Sequence, residues 1–233
     1  MSRDSATRPE PLTPNLSALP EAGRRLWPEL GDTPEQFVLY GGTALALRLG
    51  HRRSEDFDFF SSAAFDPMTV RRETAYLEGA IVSDQDPKTL ICTVERGDPV
   101  QVSFFGGLPL NRVRDPDPVP SPAVRIASLL DLAATKAQVV QARALAKDYL
   151  DMDGLVHRAG VSLDQALGAA VAVFGASFNP LLTLKALSFF GEDSLAGVPG
   201  DARHRLRDAV RATDPDNLPR FEPRSGLVPE PIP

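Results

Sequence analysis

A pair of glycines between an apolar run and a run of helix-forming residues constrains the fold of this chain more than any other feature. The surrounding stretch is "LYGGTALALRLGHRRSEDFDFF", residues 39–60. The apolar run "QFVLY" predicts a buried strand that ends at Gly41 and Gly42. "TALALRLG" predicts a helix ended by a glycine, and "DFDFFSS" predicts a second strand. The expected unit is therefore strand, glycine turn, helix and strand.

Two aspartates alternate with phenylalanines in the second predicted strand. Alternate strand residues share a face, so Asp56 and Asp58 project together, about 7 Å apart along the backbone. Phe57 and Phe59 then face the core. Two carboxylates on one face repel each other, which a strand tolerates at a solvated edge or with a divalent cation between them. Oxygen ligands without a nearby cysteine favour Mg²⁺ or Mn²⁺ over zinc.

The glycine turn is a candidate phosphate site. A helix that begins directly at the turn leaves backbone N–H groups free at its positive end, which suits a phosphate. Thr43 adds a hydroxyl there, although the glycines alone also fit a tight turn without any ligand. Combined with the paired acids, the turn predicts a phosphate site beside a metal site, as phosphoryl chemistry requires.

A later stretch, "DLAATKAQVVQARALAKDYLD", is rich in alanine and has no helix breaker, so it predicts one long helix. On such a helix Lys136, Arg143 and Lys147 fall within about 40° of one another, with Asp151 about 40° further round. The cations form either a solvated face paired with Asp148 and Asp151, or a face that meets an anion. The phosphate-binding turn favours the second interpretation, with a triphosphate as the anion.

Both motifs together resemble a known family. "GGTALALRLGHRRSEDFDFF" and the helix "DLAATKAQVVQARALAKDYLDMDGL" are similar to the AbiEii-like toxins of type IV toxin–antitoxin systems, nucleotidyltransferases related in fold to DNA polymerase beta. The resemblance runs from about residue 37 to 190. It implies an α+β fold, with an N-terminal nucleotidyltransferase-type mixed β-sheet and flanking helices, followed by a C-terminal helical bundle.

The resemblance also implies a function and a set of site residues. The expected reaction moves a nucleoside monophosphate from an NTP to an acceptor hydroxyl, the 3′ end of a tRNA, and a cognate antitoxin is an expected partner. Asp56 and Asp58 would hold Mg²⁺ or Mn²⁺, and the catalytic set would be Asp56, Asp58, Lys136 and Asp148. The expected nucleotide-binding residues are Gly41, Gly42, Thr43, Ser54, Lys136, Arg143 and Lys147. Arg48, Arg52 and Arg53 are candidate RNA contacts.

One departure from the family pattern keeps alternatives open. Polymerase-beta-like enzymes carry a third carboxylate on a later strand, where "VQVSFF" offers Ser103 or Gln101. Either Asp148 or Asp151 completes the site, or one metal alone binds firmly, or catalysis is impaired. The alternatives are transfer to a small molecule such as an aminoglycoside or to a protein hydroxyl, and a non-catalytic homologue that binds a nucleotide or a partner.

Composition and breaker residues set the expected organisation. With 42% hydrophobic and 24% charged residues among 233, the chain reads as globular, and no apolar run approaches the roughly 18 residues of a membrane span. We therefore expect a cytoplasmic protein without membrane association. Its net charge of −6 argues against a basic nucleic-acid binder overall, although a local patch would suffice. The predicted segments are a flexible leader (1–16), a nucleotidyltransferase core (17–120), a helical domain that completes the site (121–212) and an extended or disordered proline-rich tail (213–233).

Overall fold

The computed structural model describes residues 11–229 and shows an α+β fold. The strands are β1 (Val38–Tyr40), β2 (Phe57–Phe60), β3 (Ile81–Asp86), β4 (Thr89–Glu95), β5 (Pro99–Phe105), β6 (Asn111–Arg112), β7 (Asp117–Val119), β8 (Val124–Ile126) and β9 (Arg224–Ser225). The α-helices are α1 (Glu21–Leu26), α2 (Gly41–Leu49), α3 (Pro67–Glu73), α4 (Leu129–Ala142), α5 (Ala146–His157), α6 (Leu163–Phe174), α7 (Pro180–Ser188) and α8 (Gly200–Ala212). None of these helices is long and apolar enough to cross a membrane.

A mixed seven-stranded sheet has the order β3-β4-β5-β2-β1-β8-β7, and β6 pairs with β9 separately. β2 runs antiparallel to β1 and parallel to β5, so it lies in the middle of the sheet. Phe57 and Phe59 are fully buried, which confirms the face predicted for them. The apolar residues of the sheet and of the helices form one contiguous core.

The glycine turn has the predicted form, because α2 follows β1 directly and ends at Gly50 in the left-handed region. Gly41 has φ +73°, and a β-carbon there would lie 2.6 Å from Oδ2 of Asp58. Both the backbone angle and the close approach therefore require glycine at this position. The turn and the paired acids are in direct contact across β1 and β2.

The single long helix predicted over residues 131–151 is wrong. α4 ends at Ala142, Arg143 is extended with φ −151° and ψ 143°, and α5 begins at Ala146. In a continuous helix Lys136 and Asp148 would be about 18 Å apart along the axis. After the break, Lys136 Nζ lies 2.8 Å from Oδ1 of Asp148. The buried ion pair accounts for a break that local helix propensity does not predict.

Both ends of the described chain pack more closely than their sequence suggests. Residues 1–10 of the predicted leader and residues 230–233 of the predicted tail lie outside the described residues. The backbone N–H groups of Leu12 and Asn15 donate to the carbonyls of Pro118 and Leu47, so this part of the leader is fixed. The tail is extended as predicted, but it packs on the protein and buries Leu227 to 1% exposure. The predicted boundary at residue 120 stays a prediction, and β8, which follows it, belongs to the sheet.

Candidate active site

The glycine turn, the paired acids and the predicted cations surround one cavity of about 580 Å³. The cavity lies where β1 ends and α2 begins, with α4 and the link to α5 on its other side. The residues that line it are Gly41, Gly42, Thr43, Arg52, Arg53, Ser54, Glu55, Asp56, Asp58, Phe60, Phe105, Thr135, Lys136, Val139, Ala142, Arg143 and Lys147. Two motifs almost 80 residues apart in the sequence therefore meet in one place.

The first turn of α2 faces this cavity without a side-chain cap. Its free backbone N–H groups and the helix dipole suit an anionic ligand. A β-carbon at Gly42 would lie 2.3 Å from Nη2 of Arg52, so this glycine leaves room for a guanidinium over the turn. The hydroxyl of Thr43 donates to the Asp56 carbonyl and lies 2.8 Å from Oγ of Ser54. Thr43 therefore ties α2 to the residues that precede β2.

Burial raises the pKa of both Asp56 and Asp58 above the ordinary value. The charge of Asp56 raises the pKa of Asp58 further, against smaller effects of Lys136 and Lys147. Ser103 lies opposite Asp58 on β5, and its hydroxyl has a small lowering effect on the pKa of Asp58. Two adjacent carboxylates whose charged forms are disfavoured form a site that a divalent cation would stabilise.

The two carboxylates fit a Mg²⁺ site that is completed by water and substrate, rather than a metal site built entirely from protein side chains. Within residues 11–229 no group of three or more His, Cys, Asp or Glu residues has a metal-binding arrangement. Mg²⁺ is commonly held by one or two carboxylates, with water and substrate phosphates as the other ligands. Asp56 and Asp58 can supply those two carboxylates.

Two buried carboxylates bind the amino group of Lys136. Its Nζ lies 2.8 Å from Oδ1 of Asp148 and 2.6 Å from Oδ2 of Asp151, and both acids have 0% side-chain exposure. Burial alone would raise the pKa of Asp148, but hydrogen bonds and charges from Arg143 and Lys136 hold it below its ordinary value. The expected stripe of cations is thus replaced by a buried ion-pair cluster. Asp148, predicted to be catalytic, lies beneath Lys136 and does not line the cavity.

Asp151 joins the same cluster to the segment between α2 and β2. Nε and Nη2 of Arg52 donate to its two carboxylate oxygens at 2.7 and 2.9 Å. His51 Nε2 lies 2.7 Å from Oδ1 of the same carboxylate. These partners hold the pKa of Asp151 well below its ordinary value against the opposite effect of burial. Neither Asp148 nor Asp151 is available as the third metal ligand, because both are bound to cations.

The three arginines considered as RNA contacts have different environments. The Arg48 side chain is buried and pairs with Asp117, and its Nε donates to the Ala127 carbonyl at 3.0 Å. It therefore stabilises the packing of α2 against β7 and β8 and does not reach the cavity. Arg52 lines the cavity but is bound to Asp151, whereas Arg53 is exposed beside it.

Sequence reasoning missed the apolar side of the cavity. Phe60, Phe105 and Val139 line it, and the rings of Phe60 and Phe105 meet edge to face with centroids 5.5 Å apart. The signal for Phe60 was present, since it follows Asp58 by two residues and shares its strand face. No comparable signal marked Val139, which reaches the cavity only because α4 crosses this end of the sheet.

Both the sequence and the fold are similar to those of known proteins. The protein aq_aa25 of Aquifex aeolicus (strain VF5), itself uncharacterized, is 34% identical over 132 residues, which are 55% of this chain and 62% of that protein. The match thus spans less than two thirds of that relative. The solved structure of MenT4, a nucleotidyltransferase toxin from Mycobacterium tuberculosis H37Rv, has a TM-score of 0.59 at 18% identity, over 84% of this chain and 83% of the other. At that identity the likeness shows a shared fold.

A family model described as "Nucleotidyl transferase AbiEii toxin, Type IV TA system" matches residues 29–223. This range begins before β1 and ends just before β9, so it contains the whole cavity and the buried ion-pair cluster. The match covers far more than half of the sequence. The chain therefore belongs to the AbiEii nucleotidyltransferase toxin family.

Proposed function

We propose that this protein is a metal-dependent nucleotidyltransferase that moves a nucleoside monophosphate from an NTP to an acceptor hydroxyl. One observation carries the proposal: paired carboxylates, an uncapped helix start and five cationic side chains line the same cavity. The carboxylates are suited to a divalent cation, and the helix start and the cations to a triphosphate. Nucleotidyltransferases of this kind use an NTP and a divalent metal.

Each part of the cavity has a distinct role in the proposal. The backbone N–H groups after Gly41 bind a phosphate of the NTP, and Lys147 approaches the triphosphate from α5. Lys147 is exposed and makes no ion pair among the described residues, so its charge is free for a substrate. Asp56 and Asp58 hold Mg²⁺ or Mn²⁺. When bound, the ion neutralises triphosphate charge and polarises the reacting phosphate.

Lys136 and Arg143 face the same substrate but are fixed in advance. Arg143 donates to Asp148 through Nε and Nη2, and Lys136 is bound to both buried acids. Charges held in place cost little reorganisation when negative charge develops in the transition state. Asp148 and Asp151 act through these cations and are positioning residues in this scheme.

In the proposed reaction, the acceptor hydroxyl oxygen forms a bond to the α-phosphorus of the NTP. The bond between that phosphorus and the oxygen that bridges to the β-phosphate breaks, pyrophosphate leaves and the hydroxyl proton passes to solvent. Catalysis then rests mainly on alignment and charge neutralisation. The edge-to-face pair Phe60 and Phe105 offers an apolar wall for the base of the NTP.

The acceptor in this proposal is the 3′ end of a tRNA, and the protein acts as the toxin beside a cognate antitoxin. Membership of the toxin family supports this choice. Arg53 lines the cavity, is exposed and supplies a charge for an RNA backbone, whereas Arg48 and Arg52 are already bound to carboxylates.

The test is incubation of the protein with each radiolabelled NTP and total bacterial RNA, with and without Mg²⁺. We expect label in the tRNA fraction with Mg²⁺ only, and a loss of about 10³-fold or more in Asp58→Asn. Asp58→Asn keeps the shape of the side chain and removes a partly buried charge, so its thermal stability should match or exceed that of the wild type. Label transfer that is equally fast in Asp58→Asn would refute the assigned site.

One observation favours a second candidate, a homologue that binds nucleotide without transferring it. Ser103 stands opposite Asp58, where related polymerases carry a third carboxylate. NTP binding by the wild type without label transfer to RNA, to aminoglycosides or to protein would support this candidate. Transfer to one of the latter two acceptors, and not to RNA, would instead assign a different substrate.

A further inference from the structure

A second cavity, of about 570 Å³, adjoins the one that holds the paired acids. It lies between the end of α4, the start of α5 and α7. Ala142 and Arg143 line both cavities, so the Arg143 side chain stands at their common border. Nothing in the proposed handling of the NTP uses this second space.

The second cavity is lined by an unpaired lysine, one free edge of an arginine and an exposed aromatic ring. Nε and Nη2 of Arg143 bind Asp148, whereas Nη1 has no hydrogen-bond partner among residues 11–229. Lys185 is exposed and makes no ion pair within the same part of the chain. Phe189 is 60% exposed, and Glu192 is the one acidic residue in the described lining.

The position of the Phe189 ring is supported by its neighbours. A β-carbon at Gly191 would lie 2.6 Å from Cζ of Phe189, so the ring lies directly over this glycine. The adjacent Phe190 is buried and lies under the guanidinium groups of Arg203 and Arg207, at 5.7 and 4.8 Å. The buried Phe190 therefore fixes the backbone directly after Phe189, and the Phe189 ring lies over Gly191.

We propose that the second cavity binds the last nucleotides of a single-stranded RNA acceptor. A base stacks on Phe189, and a backbone phosphate lies between Lys185 and Nη1 of Arg143. The terminal 3′-hydroxyl then passes Arg143 into the first cavity. Aromatic stacking combined with cations along the backbone is the general means by which proteins bind single strands. The inference rests on the proposed function and assigns the residues that hold its acceptor.

The charges favour an RNA strand over a protein partner on this surface. Leu181 and Leu182 are also exposed on α7. Of these two apolar residues, Leu182 lines the cavity and Leu181 does not. The unpaired Lys185 and the free Nη1 edge of Arg143 face a single acid in this lining, Glu192, which suits a polyanion. The shared border at Arg143 also connects this cavity with the proposed triphosphate site, which an acceptor must reach.

Binding of a fluorescein-labelled, unstructured RNA of about six nucleotides, within the range of single-strand site sizes, measures the inference directly. Fluorescence anisotropy is recorded with the full chain in EDTA and without NTP. We expect Phe189→Ala to raise the Kd for RNA at least about fivefold. Phe189→Trp keeps an aromatic ring and should have a Kd close to that of the wild type. Lys185→Ala should raise the Kd and reduce the slope of log affinity against log salt by about 0.7. The matched controls Leu181→Ala and Lys88→Ala change exposed residues outside both cavities and should bind as the wild type does.

Kinetics separate this inference from the proposed function. Phe189→Ala should raise the KM for RNA and leave the KM for the NTP unchanged. Active wild-type enzyme with an unchanged RNA KM in Phe189→Ala overturns the inference and leaves the function intact. RNA binding that depends on Phe189 without any transfer supports the inference and refutes the function. An unchanged RNA Kd together with altered self-association of Phe189→Ala would mark a protein-binding surface and overturn the inference.

Discussion

Asp58 and Ser103 are paired on the adjacent parallel strands β2 and β5, and the Ser103 hydroxyl lowers the pKa of Asp58 against the larger effect of burial. The serine is 1% exposed, so its hydroxyl is confined to the immediate surroundings of the paired acids. The pairing places a neutral hydroxyl at a position where a carboxylate would add a third negative charge. The number of carboxylates at this site is therefore set by one residue of β5.

Ser103→Asp should make stability depend strongly on Mg²⁺. Without the metal, three neighbouring carboxylates repel one another, and each kcal/mol lost lowers the Tm by about 2–4 °C in a chain of this size. With Mg²⁺ the Tm should recover by more than it changes in the wild type. Thermal unfolding in EDTA and in Mg²⁺ measures the effect, with Ser103→Asn as the uncharged control. Equal Mg²⁺ shifts in the wild type and Ser103→Asp would contradict a metal at the paired acids.

Gly41→Ala should damage the site beyond the cost of its backbone angle. A side chain at φ +73° costs about 1–2 kcal/mol, and its β-carbon would also push against Oδ2 of Asp58. Gly79→Ala is a matched control, since Gly79 has φ +74° and nothing lies within 4 Å of the added carbon. Chemical unfolding and transfer activity should both show the larger loss in Gly41→Ala. Equal losses in the two variants would mean that the contact with Asp58 is irrelevant.

Lys147→Ala should weaken nucleotide binding without affecting folding. Lys147 is exposed in the cavity and makes no ion pair within residues 11–229, so its removal leaves no buried charge behind. We expect the KM for the NTP to rise by about tenfold, which corresponds to the loss of about one charge-assisted hydrogen bond. Steady-state kinetics together with the Tm measure this, and Lys88→Ala is the control. A lower Tm with an unchanged KM would remove Lys147 from the substrate site.

Lys136→Ala should, in contrast, reduce both stability and activity. Its removal leaves Asp148 and Asp151 buried without their shared partner, and breaking a buried pair costs about 3–5 kcal/mol. Urea unfolding of the variant measures this cost. A variant as stable as the wild type would show that Lys136 contributes to substrate binding alone.

Asp151→Asn should change the dependence of stability on acid pH. The folded-state pKa of Asp151 lies below the unfolded value of about 3.9, so its ionisation stabilises the fold above that pH. This contribution is lost as the pH falls from about 4 through the folded-state pKa. The difference in free energy of unfolding between wild type and variant should therefore be largest at neutral pH and shrink in acid. Urea unfolding at pH 7 and at about pH 3.5 measures it, and a constant difference would contradict the assignment.

Local signals predicted much of the sheet and the glycine turn. The glycine pair and the alternation around Asp58 each depend on neighbouring residues, and the structure has both. The sequence left Gln101 and Ser103 as alternatives at the third-carboxylate position, and the pairing of β2 with β5 places Ser103 opposite Asp58. The strand β3 was not predicted, because its last four residues are polar. Its pairing with β4 is what defines it as a strand.

The interior of the site was less accessible to sequence reasoning. Arg143, Ala144 and Leu145 are ordinary helix formers, so only the pairing of Lys136 with the acids of α5 explains the break there. The fate of Arg48 likewise depends on Asp117, which lies 69 residues away. Long-range ion pairs leave no periodic pattern, and they decide here which charges face the cavity.

The carbonyl of Pro219 lies 2.1 Å from where a β-carbon on Gly168 would be, so the proline-rich segment is seated in a notch of α6. Arg112 then grips the carbonyls of Ser225 and Gly226. Cutting the chain after α8 would thus remove the segment that covers this helix, together with the buried Leu227. A shortened form of the protein should keep the segment that contains Pro219, because this segment packs against α6 and is part of the folded structure.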